Sequence, residues 1–184
     1  SSGENVSFWI DSVPSLSYEK PNQDIDTEVL IIGGGIAGIT TAYNLLKEGK
    51  KVVLVEDGFI GSGETGRTTA HLSNALDDRY YYLESIFFFF YTAMAAESHT
   101  AAIDEIEKNV SDLQIDCDFK RVSGYLFLHS SDKEENLDKE YQATQNAGLE
   151  TKLLSQTPII ADGNTMRCLE FKNQAQFHVL SYIK

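Results

Sequence analysis

The sequence predicts an α/β fold: a doubly wound domain on a parallel sheet, followed by the start of an antiparallel-sheet α+β domain. Three observations carry this expectation. Two short apolar runs flank a helical pattern within about 30 residues, the length of a βαβ unit. A glycine cluster separates the first run from the helix, and beyond about residue 110 the pattern changes to strand-like and helix-like stretches of a different kind. At 184 residues, 42% of them hydrophobic, the chain has material for a domain and a half.

Residues 1–26 contain Trp9, Pro14, Pro21 and several acids without a sustained period, so they read as an extended arm lying on the domain. Val29-Leu30-Ile31-Ile32 is a β-branched, wholly apolar run of the kind that suits a strand buried on both faces. Ile36 to Lys47 carries Ala37, Ala42, Leu45 and Leu46 at helical spacing, with Gly49 as its stop. Lys51 to Val55 repeats the strand pattern and ends in Glu56-Asp57. Residues 58–73, rich in Gly, Ser and Thr, read as loop, and a helix is expected from about Ala93 to Asn109. Val122 to His129 is strand-like. Ser131-Asp132-Lys133-Glu134 has the form of a capping box opening a helix that Gly148 ends, and extended stretches follow at Thr151–Leu154 and Met166–Phe171.

Composition excludes several classes of partner. A formal net charge of -13 repels a phosphate backbone or an anionic leaflet, and no Lys/Arg cluster offsets it locally, so neither nucleic acid nor a membrane is expected as a partner. The longest apolar runs fall far below the roughly 20 residues that span a bilayer, and no positively charged segment followed by an apolar stretch opens the chain. A cytoplasmic location is the expectation. Cys117 and Cys168, in no metal or redox spacing, read as reduced, partly buried thiols.

Gly33-Gly34-Gly35-Ile36-Ala37-Gly38 fits GxGxxG, and its place between a strand and a helix turns a weak pattern into the fingerprint of a Rossmann-type dinucleotide site. Gly33 permits the turn out of the strand, Gly35 lets the backbone approach a pyrophosphate, and Gly38 lets the helix pack closely. The helix N-terminus offers amides to the phosphates. Glu56 lies at the end of the second strand, where a carboxylate accepts from a ribose diol and repels a 2′-phosphate; Asp57 adjoins it. NADP is thereby disfavoured, leaving NAD or FAD.

The stretch Gly61-Ser62-Gly63-Glu64-Thr65-Gly66-Arg67-Thr68-Thr69-Ala70-His71 favours FAD, because a second glycine- and hydroxyl-rich loop offers further amides, hydroxyls and a guanidinium to a diphosphate or a flavin. Residues 29–72 resemble the FAD-dependent oxidoreductase superfamily that includes D-amino-acid oxidase, glycine oxidase and sarcosine oxidase. Phe8-Trp9-Ile10-Asp11-Ser12, Gly66 to Leu72, Asp77 to Tyr81, Ala95 to His99 and Asn173 to His178 are similar to a bacterial group that joins the flavin domain to a C-terminal Rieske iron–sulfur domain. No Cys-x-His and Cys-x-x-His pairs occur here, so such a domain is expected beyond Lys184.

The resemblance implies an enzyme that moves a hydride from an amine- or hydroxyl-bearing carbon of a small-molecule substrate to flavin, with a Rieske centre as electron partner. It implies the arm at 1–26, the FAD-binding part at 27–110 and the beginning of a substrate domain at 111–184. Ser181 to Lys184 reads as the start of a helix, so a truncated chain is expected, inactive alone. Arg67, Thr68 and Thr69 are the expected phosphate or flavin contacts; Gln174, Gln176 and His178 read as structural before pocket-lining, and His71 as a noncovalent flavin contact or an ordinary loop residue before a covalent flavin attachment. His99 is expected to pack in the core. Ile86 to Tyr91 departs from the resembling proteins and is an aggregation hazard wherever it is exposed. A nonenzymatic nucleotide-binding module and an NAD-dependent dehydrogenase are the rival readings, and no catalytic residue can be named.

Overall fold

The computed structural model describes residues 5–14, 16, 18–129, 131–158 and 166–184. The chain divides into two compact units, Ser1–Ala70 with Ile115–Asp118 and Phe177–Lys184, and His71–Gln114 with Phe119–Gln176. This differs from the functional partition expected at residue 110. His71 and Leu72 pair with Gln176 and Ala175, and that pairing draws the following helix into the second unit.

In the first unit Phe8–Ser12 forms a single helical turn, α1, within the arm. Val29–Ile32 (β1) and Val52–Val55 (β2) are parallel neighbours, in register from Val29 opposite Val52 to Ile32 opposite Val55. Between them runs Ile36–Lys47 (α2), which ends where the Gly49 and Lys50 amides bond back to the carbonyls of Leu46 and Leu45. β1 is not buried on both faces, as its composition predicts. Val29 and Ile31 are half-buried on the side that α2 covers, whereas Leu30 and Ile32 are exposed, Ile32 to 83%. One crossover helix covers one face of a sheet, and no described element covers the other.

The second unit is an antiparallel sheet with two helices. Its elements are His71–Leu72 (β3), Tyr80–Leu113 (α3), Lys120–Phe127 (β4), Glu134–Asn146 (α4), Thr151–Leu154 (β5) and Cys168–Gln176 (β6). β6 is central: β4 pairs along one edge, and β3 and β5 pair with opposite ends of the other. Tyr80, Ala96, Leu137, Ala143, Leu149, Leu169 and Phe171 make its core. Each large apolar side chain there contributes about 1.5–3 kcal/mol by leaving water. A last short helix, Val179–Tyr182 (α5), belongs to the first unit. Among the described residues no helix is long and apolar enough to cross a membrane.

α3 begins well before the Ala93 expected from periodicity. It takes in Ile86 to Tyr91, which is exposed throughout, and it is interrupted at Phe88, whose φ of 60° is not helical. The run is therefore neither a strand nor buried. His99 is exposed rather than packed, because the buried positions of this helix are Tyr80, Thr92, Ala96, Ile103 and Asn109. The capping box does not form either: α4 starts at Glu134 without a side-chain cap, and the Ser131 amide bonds instead to His129 Nδ1.

α3 is capped from outside. Arg79 precedes it with φ 56° and provides no side-chain cap, and the buried Glu140 of α4 accepts from the Tyr80 and Tyr81 amides, both at 3.1 Å. A carboxylate at a helix N-terminus is favoured by the dipole as well as by these bonds. Burial nevertheless pushes the Glu140 carboxyl above its ordinary value, outweighing the two amides and Arg79, with Glu84 adding to the rise. The sign of the linkage follows. A carboxyl whose folded pKa is raised contributes stability below its unfolded pKa, and that contribution is lost as pH rises through the folded value. Melting temperatures of wild type and Glu140→Gln, measured from pH 4 to 8, should therefore differ in slope, with the variant gaining relative to wild type as pH rises. Parallel curves would show that burial does not control this carboxyl. Glu140→Ala, which orphans both amides, should cost about 1–3 kcal/mol at the acid end of that range, the cost shrinking as pH rises.

Candidate functional site

The six residues Gly33 to Gly38 form the turn from β1 into α2, as their spacing predicts. Gly33, with φ 110°, carries the chain out of the strand and donates its amide to Val55 O at 2.8 Å, and Gly35 is the N-terminal flank of the helix. Gly38 shows why this turn tolerates only glycine. A Cβ there would lie 2.0 Å from the Gly33 carbonyl oxygen, which is backbone and cannot step aside. The first-turn amides of α2, including those of Ala37 and Gly38, have no partner inside the helix. The amide of Ile36 is met by Thr65 Oγ1 at 3.0 Å.

Glu56 closes the other side of the turn. One carboxylate oxygen accepts from the Gly34 amide at 2.6 Å and the other from the Gly58 amide at 2.9 Å. The Gly34 bond above all, then the Gly58 bond, holds this carboxyl below the usual range, so it stays ionised near neutrality. Asp57 is exposed beside it. β2 thus delivers a fixed negative charge next to a glycine turn that also faces the positive end of α2. This donor set can hold a diphosphate and accept from a ribose diol.

The second loop is more than an additional row of donors. Glu64–Arg67 is a turn of 3-10 helix. The Arg67 guanidinium donates through Nη1 to the carbonyls of Ser62 and Gly63, so it braces its own loop. Thr68 Oγ1 accepts from the Ala70 amide at 3.2 Å, and both Thr68 and Thr69 are exposed. The loop meets the fingerprint at two points, Thr65 on Ile36 and the Gly61 amide on Gly34 O at 3.0 Å. Arg67 also faces a groove shared with Asn5, Val6, Ser7 and Ile10 of the arm.

Sequence reasoning missed Thr65 and Ile60. Thr65 stands in a hydroxyl-rich stretch in which no spacing rule singles out one hydroxyl, and Ile60, whose Cδ1 would lie 2.6 Å from a Cβ at Gly34, looks like an ordinary loop residue. Of the residues considered structural, Gln174 is buried and exchanges bonds with Asn74, donating to Oδ1 at 2.5 Å and accepting from its amide at 2.8 Å. Gln176 is exposed at the end of β6, His71 is exposed in β3, and His178 flanks α5.

A glycine turn on a parallel strand, with a carboxylate after the next strand, defines a Rossmann-type dinucleotide-binding fold, and this chain belongs to the family of FAD-dependent oxidoreductases designated DAO, whose model matches residues 28–184. It is 35% identical, over 96% of its length, to the putative Rieske 2Fe-2S iron-sulfur protein YhfW of Bacillus subtilis, of which it covers 34%. It is 28% identical over 117 residues to gamma-glutamylputrescine oxidoreductase of Escherichia coli, covering 64% of this chain and 27% of that protein. The crystal structure of L-proline dehydrogenase from P. horikoshii superposes with a TM-score of 0.68 at 19% identity, over 85% of this chain and 39% of that one. The chain thus spans about a third, or less, of the length of the curated relatives it matches.

The tightest contact in the turn gives a direct test. Gly38→Ala should destabilise the first unit by about 1–3 kcal/mol or more, since the added methyl meets backbone rather than a movable side chain. Chemical denaturation followed through Trp9 fluorescence reads this unit, and an unchanged midpoint would mean that the turn can open without cost.

Proposed function

We propose that Gly33 to Gly38, Glu56 and the loop at 61–70 hold the ADP half and the inner flavin edge of FAD, and that the full-length protein oxidises a small amine. The observation that carries this reading is the ionised Glu56 carboxylate held against the Gly34 amide at the mouth of α2. Gly35, Ile36, Ala37 and Gly38 present the helix amides to the pyrophosphate; Glu56, flanked by Asp57, accepts from the adenosine ribose. The present bonds of Glu56 leave lone pairs on both carboxylate oxygens for those hydroxyls. Arg67, Thr68 and Thr69 stand on the loop side, with Thr65 sharing the first helix amide. When bound, FAD supplies the hydride-accepting chemistry, and the residues of this chain bind it, orient it and set the charge around it.

Two relatives favour an amine as the electron source. Gamma-glutamylputrescine and L-proline, the compounds in their names, both carry the C–H beside an amine nitrogen from which a flavin removes hydride. An iron–sulfur centre elsewhere in the full-length protein is the electron partner we favour, on the likeness to the putative Rieske protein across nearly the whole chain. We assign the FAD-binding role to the first compact unit and the beginning of the substrate domain to the second.

The reading is tested on the full-length protein by its visible absorbance and by FAD titration of the apoprotein. A colourless protein that takes up no FAD would sink it. Glu56→Gln turns an amide NH2 toward Gly34 or Gly58 and removes the charge, so FAD binding should weaken about tenfold or more. Because the Glu56 pKa is depressed, the wild-type affinity should hold above the ordinary carboxylate range and fall only as pH drops through that lowered value. The variant should lack that fall. Equal affinities at neutral pH would remove Glu56 from the site.

A further inference from the structure

The glycine- and hydroxyl-rich loop at 61–70 is held from two sides. Toward the fingerprint it gives Thr65 Oγ1 to the Ile36 amide and the Gly61 amide to Gly34 O, both at 3.0 Å. On its other side lies the arm. The indole N–H of Trp9 donates to Thr68 O at 2.7 Å across 59 positions of sequence. Ile10 lies against Gly66, where a Cβ would come within 3.1 Å of Ile10 Cγ1 and 2.4 Å of Gly61 O.

The arm is itself anchored. Trp9 meets Phe8 edge-on at 5.2 Å and the His178 ring at 4.9 Å, and Ser12 Oγ lies 2.8 Å from His178 Nε2. The tautomer follows from the neighbouring bond. His178 Nδ1 accepts from the Ser181 amide at 3.2 Å, so the ring proton sits on Nε2 and is donated to Ser12 Oγ, whose own proton goes to Trp9 O at 3.2 Å. A serine activated as a nucleophile needs a bare nitrogen facing it. Ser12 and His178 are therefore a latch and not a nucleophile–base pair. The His178 amide bonds to Cys117 O at 2.6 Å, which ties the latch to a third segment of the same unit.

We propose that the arm is a positioning element of the dinucleotide site, with Trp9 the positioning residue. Resting on the FAD reading, the inference extends it to residues that match no cofactor motif. A loop of this composition samples many backbone states, and ordering it on binding consumes affinity. Trp9 holds the Thr68 carbonyl, Ile10 seats Gly66, and Thr65 is thereby kept at the first amide of α2 before a ligand arrives. A positioning residue of this kind acts on affinity and on the environment of the bound flavin more than on folding.

The test is Trp9→Phe in the full-length protein, which keeps an aromatic ring against Phe8 and His178 and removes the N–H. FAD affinity by titration, the visible envelope of the bound flavin and the folded fraction by circular dichroism are measured together. The dissociation constant should rise about tenfold, the loss expected for one hydrogen bond and the order it maintains, with a changed flavin envelope and an unchanged folded fraction. An affinity within twofold of wild type, or a loss that merely follows a fall in folded fraction, overturns the proposal. Should Trp9→Phe not fold, Ser12→Ala decides: it releases the latch and leaves the indole in place, so it should weaken FAD in the same direction by a smaller factor. Affinity unchanged in that variant overturns the proposal equally. Wild-type protein that binds no FAD would instead overturn the cofactor reading, and this inference with it.

Discussion

The carboxylate of Glu56 is the constraint around which the first unit is arranged. It receives amides from two loops, Gly34 after β1 and Gly58 after β2, and so ties together the C-terminal ends of two parallel strands. Two backbone donors on one anion keep it charged. That charge is what a ribose diol needs and what an additional phosphate on the ribose would meet as repulsion. Under the FAD reading proposed above, the local fold and the chemistry of the site would then depend on the same atoms. A residue of this kind cannot be assigned to structure or to binding alone.

The second unit solves a comparable problem with a carboxylate that is buried. α3 opens after a residue in the left-handed region, so no local side chain caps it, and Glu140 reaches from α4 to take its first two amides. The solution is costly in desolvation, which raises the Glu140 carboxyl. Arg121 provides a further tie between elements. From β4 it binds Asp104 and Glu107 on α3 and the Asn173 carbonyl, joining the long helix to the sheet. Asn74 and Gln174 add a buried amide pair with reciprocal bonds.

The parts of this fold that were legible in the sequence are those decided by local physics. Val29–Ile32, Ile36–Lys47 and Thr151–Leu154 have the bounds that periodicity assigns, and the glycine turn joins strand to helix where the fingerprint places it. The illegible parts depend on distant partners. α3 extends back to Tyr80 because Glu140, 60 positions away, satisfies its amides, which no window around Tyr80 contains. Ile86 to Tyr91 has strand propensity and lies instead where two helical stretches meet at Phe88, the first capped at Tyr80 and the second carrying the buried Thr92 and Ala96. The Ser131 to Glu134 capping box failed for a local reason, since Ser131 bonds to His129 instead.

The two glycine-rich loops look alike in sequence, and both turn the backbone back on itself, but they have different neighbours. In the first, the glycines at 33 and 38 exist because the backbone turns back on itself at the mouth of a helix. In the second, a Cβ at Gly66 would meet the Gly61 carbonyl oxygen at 2.4 Å and Ile10 at 3.1 Å, while Gly61 adopts φ 78° and lies against the Leu180 side chain of α5. Composition alone reads both as cradles for phosphate. Contacts show that the second loop is equally a docking surface within its own unit, for the arm on one side and α5 on another. Within it Arg67 braces the carbonyls of Ser62 and Gly63, and Thr65 reaches the amide of Ile36. The arm, a stretch without periodicity, is thus in contact with this loop through Trp9 and Ile10. In the sequence it showed no period, and the partner of the Trp9 indole, Thr68, lies 59 residues downstream.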